Sequence, residues 1–465
     1  MTLIKSISGI RGTIGGKPAE NLTPLDAVKF AAAYGTWLKN QSNKEKYKVV
    51  IGRDARISGA MIQQLVANTL VGLGIDVVDL GLSTTPTVEV AVPLEEADGG
   101  IILTASHNPK QWNALKLLNH KGEFLNAEEG KQILESAENE DFTFAEVDDL
   151  GKVYTNNTYI DLHIEKVLEH PLVNVDAVRE KKFKVVVDAV NSTGGISIPP
   201  LLKQLGVECI ELYCDPTGHF PHNPEPLEKH LGELCAKVKQ EKADLGITVD
   251  PDVDRLAFVD ENGKMFGEEY TLVSVADYYL SKHPGKNTVS NLSSSRALRD
   301  VTKKHGGTYY ASAVGEVNVV QKMKEVKAVI GGEGNGGIID PELHYGRDSL
   351  VGVGLFLSLL AEKNMSVSEL RASYPAYFMA KEKIELTPDL NVDGILAYVA
   401  KIHASEEVST IDGVKIDFES SWVHLRKSNT EPIIRIYTEA STQEAANELA
   451  QKFISIIEEV AKEIK

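Results

Sequence analysis

Gly100-Ile101-Ile102-Leu103-Thr104-Ala105-Ser106-His107-Asn108-Pro109 is an apolar run that breaks into small polar residues and halts at a proline. The run reads as a buried strand. The break delivers a hydroxyl to the sheet edge before the chain turns away. Ser106 stands next to His107, so a nucleophile and a candidate base share one turn. A serine beside a histidine is also common in loops that only make turn hydrogen bonds. The stretch gains its meaning from others along the chain.

Working outward, Lys48 to Ile51 reads as a strand ending in Gly52-Arg53-Asp54-Ala55-Arg56-Ile57-Ser58-Gly59. A helix follows with Ile62, Leu65, Val66, Leu70 and Leu73 on one face, Gly74 stops it, and Ile75 to Leu80 is another strand. The same grammar returns twice. Phe183 to Asp188 is a strand, Asn191 to Gly195 a turn, Leu201 to Leu205 part of a helix, and Val207 to Leu212 a strand. Thr288 to Leu292, Arg296 to Lys304 and Thr308 to Ala311 repeat strand, helix and strand. The recurrence predicts three related α/β domains with mixed or largely parallel sheets. After Tyr374-Pro375 the pattern changes. Val414 to Phe418, Trp422 to Leu425 and Ile433 to Tyr437 read as strands. A last helix starts at Ser441, with Glu444 completing a capping box, and Ala445, Leu449, Phe453, Ile457, Val460 and Ile464 share a face. This is an α+β domain with an antiparallel sheet. The boundaries expected are 1–155, 156–258, 259–372 and 373–465.

Composition narrows the function. The chain has 465 residues, 42% hydrophobic and 25% charged, with a net charge of −18. That balance excludes a broad nucleic-acid footprint, and an anionic ligand needs local basic clusters. Cys209, Cys214 and Cys235 lack metal-ligand spacing and fit a reducing compartment. The apolar stretch Leu350 to Ala361 is too short to span a bilayer, and the start of the chain lacks a signal-peptide run. The expectation is a cytoplasmic protein with no nucleic-acid or membrane partner, as monomer or homodimer.

Three further motifs carry chemistry. Asp250-Pro251-Asp252-Val253-Asp254-Arg255 follows the apolar run Leu245 to Val249. Carboxylates at alternate positions repel, and a bound divalent cation relieves that repulsion, with hard oxygen ligands suiting Mg²⁺. A calcium loop fits poorly, because Arg255 stands where a glycine is needed and Leu256 to Val259 continues as a strand. Gly331-Gly332-Glu333-Gly334-Asn335-Gly336-Gly337 follows the strand Ala328 to Ile330. No helix pattern follows it, which excludes a dinucleotide fingerprint, and Glu333 and Asn335 are suited to gripping sugar hydroxyls. Arg426-Lys427-Ser428-Asn429-Thr430-Glu431-Pro432, with Arg435, offers the forked donors and hydroxyls that a phosphate dianion requires.

In this order the motifs resemble those of the α-D-phosphohexomutase superfamily, the phosphoglucomutases, phosphomannomutases and phosphoglucosamine mutases. The resemblance covers essentially the whole chain, and Gly52-Arg53-Asp54 and Val314-Gly315-Glu316 add to it. It implies a four-domain, heart-shaped molecule around a central cleft. By that resemblance Ser106 is the phosphorylated residue, and Asp250, Asp252 and Asp254 hold Mg²⁺ together with a phosphoserine oxygen of Ser106. Lys116 takes part in acid–base work, Arg11 and His107 belong to the same site, and Arg255 lies beside the metal. Glu333, Gly334 and Asn335 contact the sugar. Arg426, Ser428, Asn429, Thr430 and Arg435 hold the phosphate that is not reacting. Asn335-Gly336-Gly337 replaces the serine and histidine of many bacterial relatives, as in archaeal-type mutases, and Glu316 stands where relatives have histidine or aspartate.

The implied reaction is reversible phosphoryl transfer between the 6- and 1-positions of a hexose phosphate, through phosphoserine and a hexose 1,6-bisphosphate. The amino sugar glucosamine is the favoured substrate, with glucose and mannose phosphates as rivals. A Mg²⁺ phosphatase and a silent sugar-phosphate binder are the alternatives of other classes. Two further expectations follow from charge. Three carboxylates should over-neutralise a divalent ion, and Lys116 can carry protons only if burial or nearby cations lower its pKa.

Overall fold

The computed structural model of the chain describes residues 2–6, 9–385, 391–427 and 433–463. It divides into two compact units. One comprises Met1–Tyr279 with Asn335–Leu370, the other Leu280–Gly334 with Arg371–Lys465.

In the first unit the described residues form a seven-stranded sheet in the spatial order Ile4–Ser6, Gly9–Thr13, Trp112–Leu118, Gly99–Leu103, Tyr47–Arg53, Ile75–Leu82, Val153–Thr155. The strand that leads to Ser106 is thus the central one, and all five of its residues are buried. It runs parallel to Tyr47–Arg53 and antiparallel to Trp112–Leu118. Its first residue has to be glycine. A Cβ at Gly99 would lie 2.1 Å from the Tyr34 hydroxyl. That hydroxyl lies 2.6 Å from the Leu118 carbonyl and 3.1 Å from that of Gly100, pinning both strands from the helix Pro24–Gln41. The helix Gly59–Gly72 buries Ile62, Val66 and Leu70 as its pattern predicts, and Gly74 follows with φ +79°.

A second sheet of this unit places Lys184–Asp188 parallel to both Glu208–Leu212 and Leu245–Val249. Leu245–Val249 then pairs antiparallel with Leu256–Asp260, so the aspartate motif is the turn between two buried strands. One helix is longer than its sequence suggests. Gly194–Gln204 begins ahead of the Leu201–Leu205 segment read as part of a helix and runs through Pro199 and Pro200. Burial of Ile198, Leu201 and Leu202 on the helix offsets the two lost backbone donors. The apolar stretch near Leu350 belongs to the helix Ser349–Lys363, buried at every position from Ser349 to Ala361. A helix apolar all round is a core helix, and among the described residues no helix is long and apolar enough to cross a membrane.

In the second unit Thr288–Asn291 lies parallel to Tyr309–Ser312 and to Ile330–Glu333. The C-terminal sheet is antiparallel throughout, in the order Phe378–Glu385, Ile433–Ala440, Trp422–Lys427, Val414–Asp417, Glu407–Ser409. The helices Val392–Ile402 and Gln443–Glu463 supply Ile395, Val399, Ala446, Phe453 and Ile457 to its core. The last helix is capped one residue later than expected. Thr442, not Ser441, accepts the Ala445 N–H through Oγ1 at 3.1 Å, and Ala446 and Ala450 are buried where Ala445 and Leu449 were expected, these two being half-buried. Ile464 lies outside the described residues. The architecture is the one expected, mixed α/β sheets followed by an antiparallel α+β domain.

His424 sits inside this last sheet with both ring nitrogens engaged, Nδ1 at 2.8 Å from Ser293 Oγ and Nε2 at 2.7 Å from the Asp412 carbonyl. Burial pushes its pKa down to about 4. The unfolded imidazole titrates near 6.5, so protonation favours unfolding. Stability should therefore be fully present above pH of about 6.5 and decline as pH falls toward about 4, by on the order of 3 kcal/mol. Urea titrations across that window should show a shallower pH slope in His424→Gln than in the parent. Equal slopes would contradict this assignment.

Candidate active site

Ser106 stands just past the central strand with φ +48°, a left-handed conformation that costs a non-glycine residue energy and needs outside support. The support is visible. Ser106 N–H donates to Thr104 Oγ1 at 2.9 Å, and Thr104 Oγ1 donates to Asp54 Oδ2 at 2.7 Å. Asp54 Oδ2 also accepts Arg56 Nε at 2.9 Å. The guanidinium of Arg56 then fans into the serine loop, meeting the carbonyls of Ser106 (2.5 Å), Asn108 (2.7 Å), Pro109 (2.7 Å) and Trp112 (3.0 Å). Arg56 is 1% exposed. Burial raises the pKa of Asp54, and Arg56 and Thr104 oppose that rise.

The aspartate motif begins where Leu245–Val249 ends. Asp250, Asp252 and Asp254 are all 0% exposed, and one carboxylate oxygen from each lies within 4.8 Å of the others. Val253 between them has φ +65°, an outlier for a β-branched residue. Asp250 Oδ1 holds the turn closed by accepting the N–H groups of Asp254 and Arg255, each at 3.1 Å. Asp250 Oδ2 accepts the Ser106 hydroxyl at 2.7 Å, so the two sequence motifs meet atom to atom. Asp252 Oδ2 accepts Thr85 Oγ1 at 2.6 Å and Lys116 Nζ at 2.7 Å. Asp254 Oδ2 accepts an Arg347 nitrogen at 2.6 Å and Lys116 Nζ at 3.4 Å.

These contacts set the charge states. Burial, then repulsion from Asp254 and Asp252, drives Asp250 well above the carboxylate range. Burial also acts against the charge of Asp252, but Lys116 and Thr85 outweigh it and hold this carboxyl low. For Lys116, burial alone would lower the pKa, yet the ion pairs with Asp252 and Asp254 raise it. The condition for Lys116 to take up a proton is therefore not met, and the lysine stands as an ammonium. His107 is the reverse case. Burial and the cations Arg255, Arg347 and Arg11 push it well below its usual value, and its Nδ1 lies 3.4 Å from Ser106 Oγ. Arg11 is on Gly9–Thr13, paired to the strand that carries Lys116, and burial followed by Arg255 lowers its pKa.

The donor set fits a divalent cation. Asp252 Oδ1 and Asp254 Oδ1 are buried and have no hydrogen-bond partner among the described residues. Leaving such oxygens unsatisfied is costly, and hard oxygen donors suit Mg²⁺. Over-neutralisation by three carboxylates does not hold, because Lys116 and Arg347 return two positive charges to the cluster.

Asn335 and Gly336 also lie in the first unit. Asn335 Oδ1 accepts the Gly337 N–H at 3.2 Å, and the Gly336 carbonyl accepts the N–H of Leu256 at 3.1 Å. Gly336 has φ +86°, and a Cβ there would lie 2.2 Å from the Leu256 carbonyl, so the loop requires glycine. In the second unit, Glu333 ends its strand 5% exposed, with Oε1 accepting Asn291 Nδ2 at 2.8 Å and Gly315 N–H at 3.2 Å. The Gly334 N–H donates to Ser294 Oγ at 2.9 Å. Arg426 and Arg435 sit directly opposite on adjacent strands, a like-charge pairing that costs stability unless an anion lies near. Arg426 Nε donates to Asp412 at 2.8 Å. Ser428, Asn429 and Thr430 lie outside the described residues. The sequence showed neither Thr85, Arg56 nor Arg347 as part of the site; the second arginine of Arg53-Asp54-Ala55-Arg56 was the one available signal.

Removing the guanidinium of Arg56 leaves Asp54 buried without its cation and takes a donor from the carbonyls of Ser106, Asn108, Pro109 and Trp112, although that of Pro109 keeps the Trp112 N–H. Arg56→Ala should cost about 3–5 kcal/mol of unfolding free energy, measured by urea denaturation. A loss under about 1 kcal/mol would show that the loop does not depend on this residue.

Models of the phosphoglucomutase/phosphomannomutase family match in sequence order. The alpha/beta/alpha domains I, II and III match residues 3–144, 161–263 and 267–377, and the C-terminal domain matches 380–456. The chain is 36% identical over 97% of its length to a phosphoglucomutase/phosphomannomutase of Thermococcus kodakarensis, covering 99% of that protein. It is 34% identical over 98% of its length to a probable phosphoglucosamine mutase of Methanopyrus kandleri, covering 98% of it. A crystal structure of a phosphoglucomutase/phosphomannomutase family protein from Burkholderia thailandensis superposes with a TM-score of 0.85 at 26% identity, over 99% of this chain and 98% of that one. With all four domains matched in order and the serine and aspartate motifs joined in one buried cluster, the chain belongs to the phosphoglucomutase/phosphomannomutase family of mutases, in the α-D-phosphohexomutase superfamily.

Proposed function

We propose that this mutase interconverts glucosamine 6-phosphate and glucosamine 1-phosphate through phosphorylated Ser106 and a bisphosphate. The observation that carries the reading is the 2.7 Å hydrogen bond from Ser106 Oγ to Asp250, inside a buried three-carboxylate cluster. The name of the Methanopyrus relative supports the amino sugar. A second reading, a phosphoglucomutase/phosphomannomutase, is favoured by the name of the Thermococcus relative.

In the first half-reaction a free sugar hydroxyl attacks the phosphorus on Ser106. The bond from phosphorus to Ser106 Oγ breaks, a bond to the sugar oxygen forms, and the hydroxyl's proton is passed within the site to Ser106 Oγ. The bisphosphate turns over, and the second half-reaction returns its other phosphate to Ser106. Asp250, Asp252 and Asp254, with a phosphoserine oxygen, would hold Mg²⁺, which would neutralise charge on the transferring group. Arg11, Arg255 and Arg347 add fixed positive charge around the serine. His107, as a neutral imidazole, can accept a proton from a neighbouring hydroxyl. Lys116, held as an ammonium by Asp252 and Asp254, supplies fixed positive charge there. Glu333, Gly334 and Asn335 bind the sugar hydroxyls, and Arg426, Ser428, Asn429, Thr430 and Arg435 hold the phosphate at rest. Recognition of phosphate rather than of ring position lets one clamp serve both ends of the bisphosphate, with closure on a hinge near Ser373 to Phe378. Three free cysteines support a reducing, cytoplasmic location.

Ser106→Ala should lower kcat by about three orders of magnitude or more, and the parent's Ser106 peptide should carry phosphate by mass spectrometry. Near-normal turnover in the variant would reject the phosphoserine route. Chelation should stop turnover and Mg²⁺ restore it. Rates on glucosamine, glucose and mannose phosphates, compared side by side, decide between the two sugar readings. Phosphate release exceeding isomer formation would instead indicate a phosphatase.

Arg426→Ala removes a forked anchor worth about 2 kcal/mol, so KM should rise by roughly 30-fold. Unchanged kinetics would remove Arg426 from the clamp.

A further inference from the structure

The first unit contains a second group of metal-ligating side chains that the phosphoryl chemistry does not use. His163 lies on the helix Tyr159–Leu168, His344 follows the strand Gly337–Ile339, and Asp348 caps the helix Ser349–Lys363. A ligand atom of each lies within 4.8 Å of the others. His163 Nε2 is 2.9 Å and His344 Nε2 is 3.3 Å from the same oxygen, Asp348 Oδ2. The side chains of His163 and Asp348 are 1% exposed or less, and that of His344 is 9% exposed. Asp348 Oδ1 is occupied elsewhere, accepting the N–H of Leu350 at 2.7 Å and of Val351 at 3.4 Å. Oδ2 is thereby directed at the two rings as a single donor.

We propose that His163 Nε2, His344 Nε2 and Asp348 Oδ2 form a site for a divalent transition-metal ion, with Zn²⁺ the best fit. Ligand bonds of 2.0–2.1 Å in a tetrahedron set ligand atoms about 3.3 Å apart, close to the spacing found. Imidazole suits zinc, whereas the all-oxygen aspartate cluster suits magnesium. The outer nitrogens supply the second argument. His163 Nδ1 has a hydrogen-bond partner in Thr87 Oγ1 at 3.0 Å, and His344 Nδ1 lies 3.3 Å from Glu89 Oε2, within ion-pair reach but not hydrogen-bonded to it. An Nδ1–H of His163 toward Thr87 turns its Nε2 lone pair toward Asp348, the arrangement by which an acceptor around a metal site orients a histidine, and the nearby Glu89 carboxylate favours the same tautomer in His344. If Asp348 instead took an N–H from each ring, His344 would need a second proton to face Glu89, and a bound cation makes that proton unnecessary. Water completes the fourth position.

The site would also brace the catalytic centre. Arg347, next to Asp348, donates to Asp254, and Thr85, on the helix that carries Thr87 and Glu89, donates to Asp252.

The test uses the full chain, stripped with chelator and titrated with Co²⁺ alone in excess Mg²⁺. One equivalent should develop the intense visible band of tetrahedral cobalt, and Zn²⁺ should displace it. His344→Gln should lose the band and bind Zn²⁺ about 100-fold more weakly, and Glu89→Gln about 10-fold more weakly. Asp252→Asn should retain the band, and circular dichroism verifies folding. If His344→Gln fails to fold, Glu89→Gln decides. Absence of a zinc-displaceable band in the parent, its loss in Asp252→Asn, or unchanged Zn²⁺ affinity in the folded histidine or glutamate variants overturns the proposal.

Discussion

Three carboxylates enclosed in five residues, all shielded from water, are the constraint on which the arrangement of the first unit depends. Isolated buried charges of this kind are too costly to persist, so everything around the turn works as compensation. The partners come from separate segments: a hydroxyl from Ser106, another from Thr85, an ammonium from Lys116 and a guanidinium from Arg347. Each is held by a different strand, helix or loop. The repulsion within the turn therefore dictates how those segments must converge. The serine is drawn in by the same need, as a donor to the carboxyl whose charge is hardest to keep.

Positioning the reactive groups also stores strain. Ser106 and Val253 both adopt positive φ, one in the serine loop and one in the aspartate turn. Such conformations persist only where the surroundings over-determine them. Arg56 does this for the serine loop by collecting four carbonyls on one fork. In the aspartate turn, Asp250 Oδ1 does the equivalent with two backbone donors.

What the sequence made legible was local. A buried strand that stops at a polar turn can be read within ten residues, and both motifs have that form. The C-terminal helix and the recurring strand–helix units were legible for the same reason, since periodicity is a short-range signal. Compensation is long-range and was not. Arg56 reaches the Ser106 carbonyl from 50 residues away, Arg347 reaches Asp254 from 93, and Thr85 reaches Asp252 from 167. The strand Phe378–Glu385 escaped notice because it is a sheet edge whose residues are mostly exposed, so it lacks an apolar alternation. The helix through Pro199 and Pro200 escaped because tertiary burial outweighed local propensity.

The protonation of Lys116 follows from the same electrostatics and changes how the site's charge should be counted. With a cation bound all three aspartates would be ionised, for a formal charge of −3, and Lys116 and Arg347, which touch them, return +2. A divalent ion joining the set would reverse that net −1 rather than be over-neutralised by it. On the proposed route a phosphoserine would bear about −2, so the complete cluster would stay within one unit of neutrality while the phosphoryl group is attached. Its loss to the sugar would leave an excess of one positive charge, which would favour return of a phosphate, as a mutase needs and a hydrolase does not. Lys116 held as a fixed cation is therefore worth more to this chemistry than a lysine poised to lose its proton.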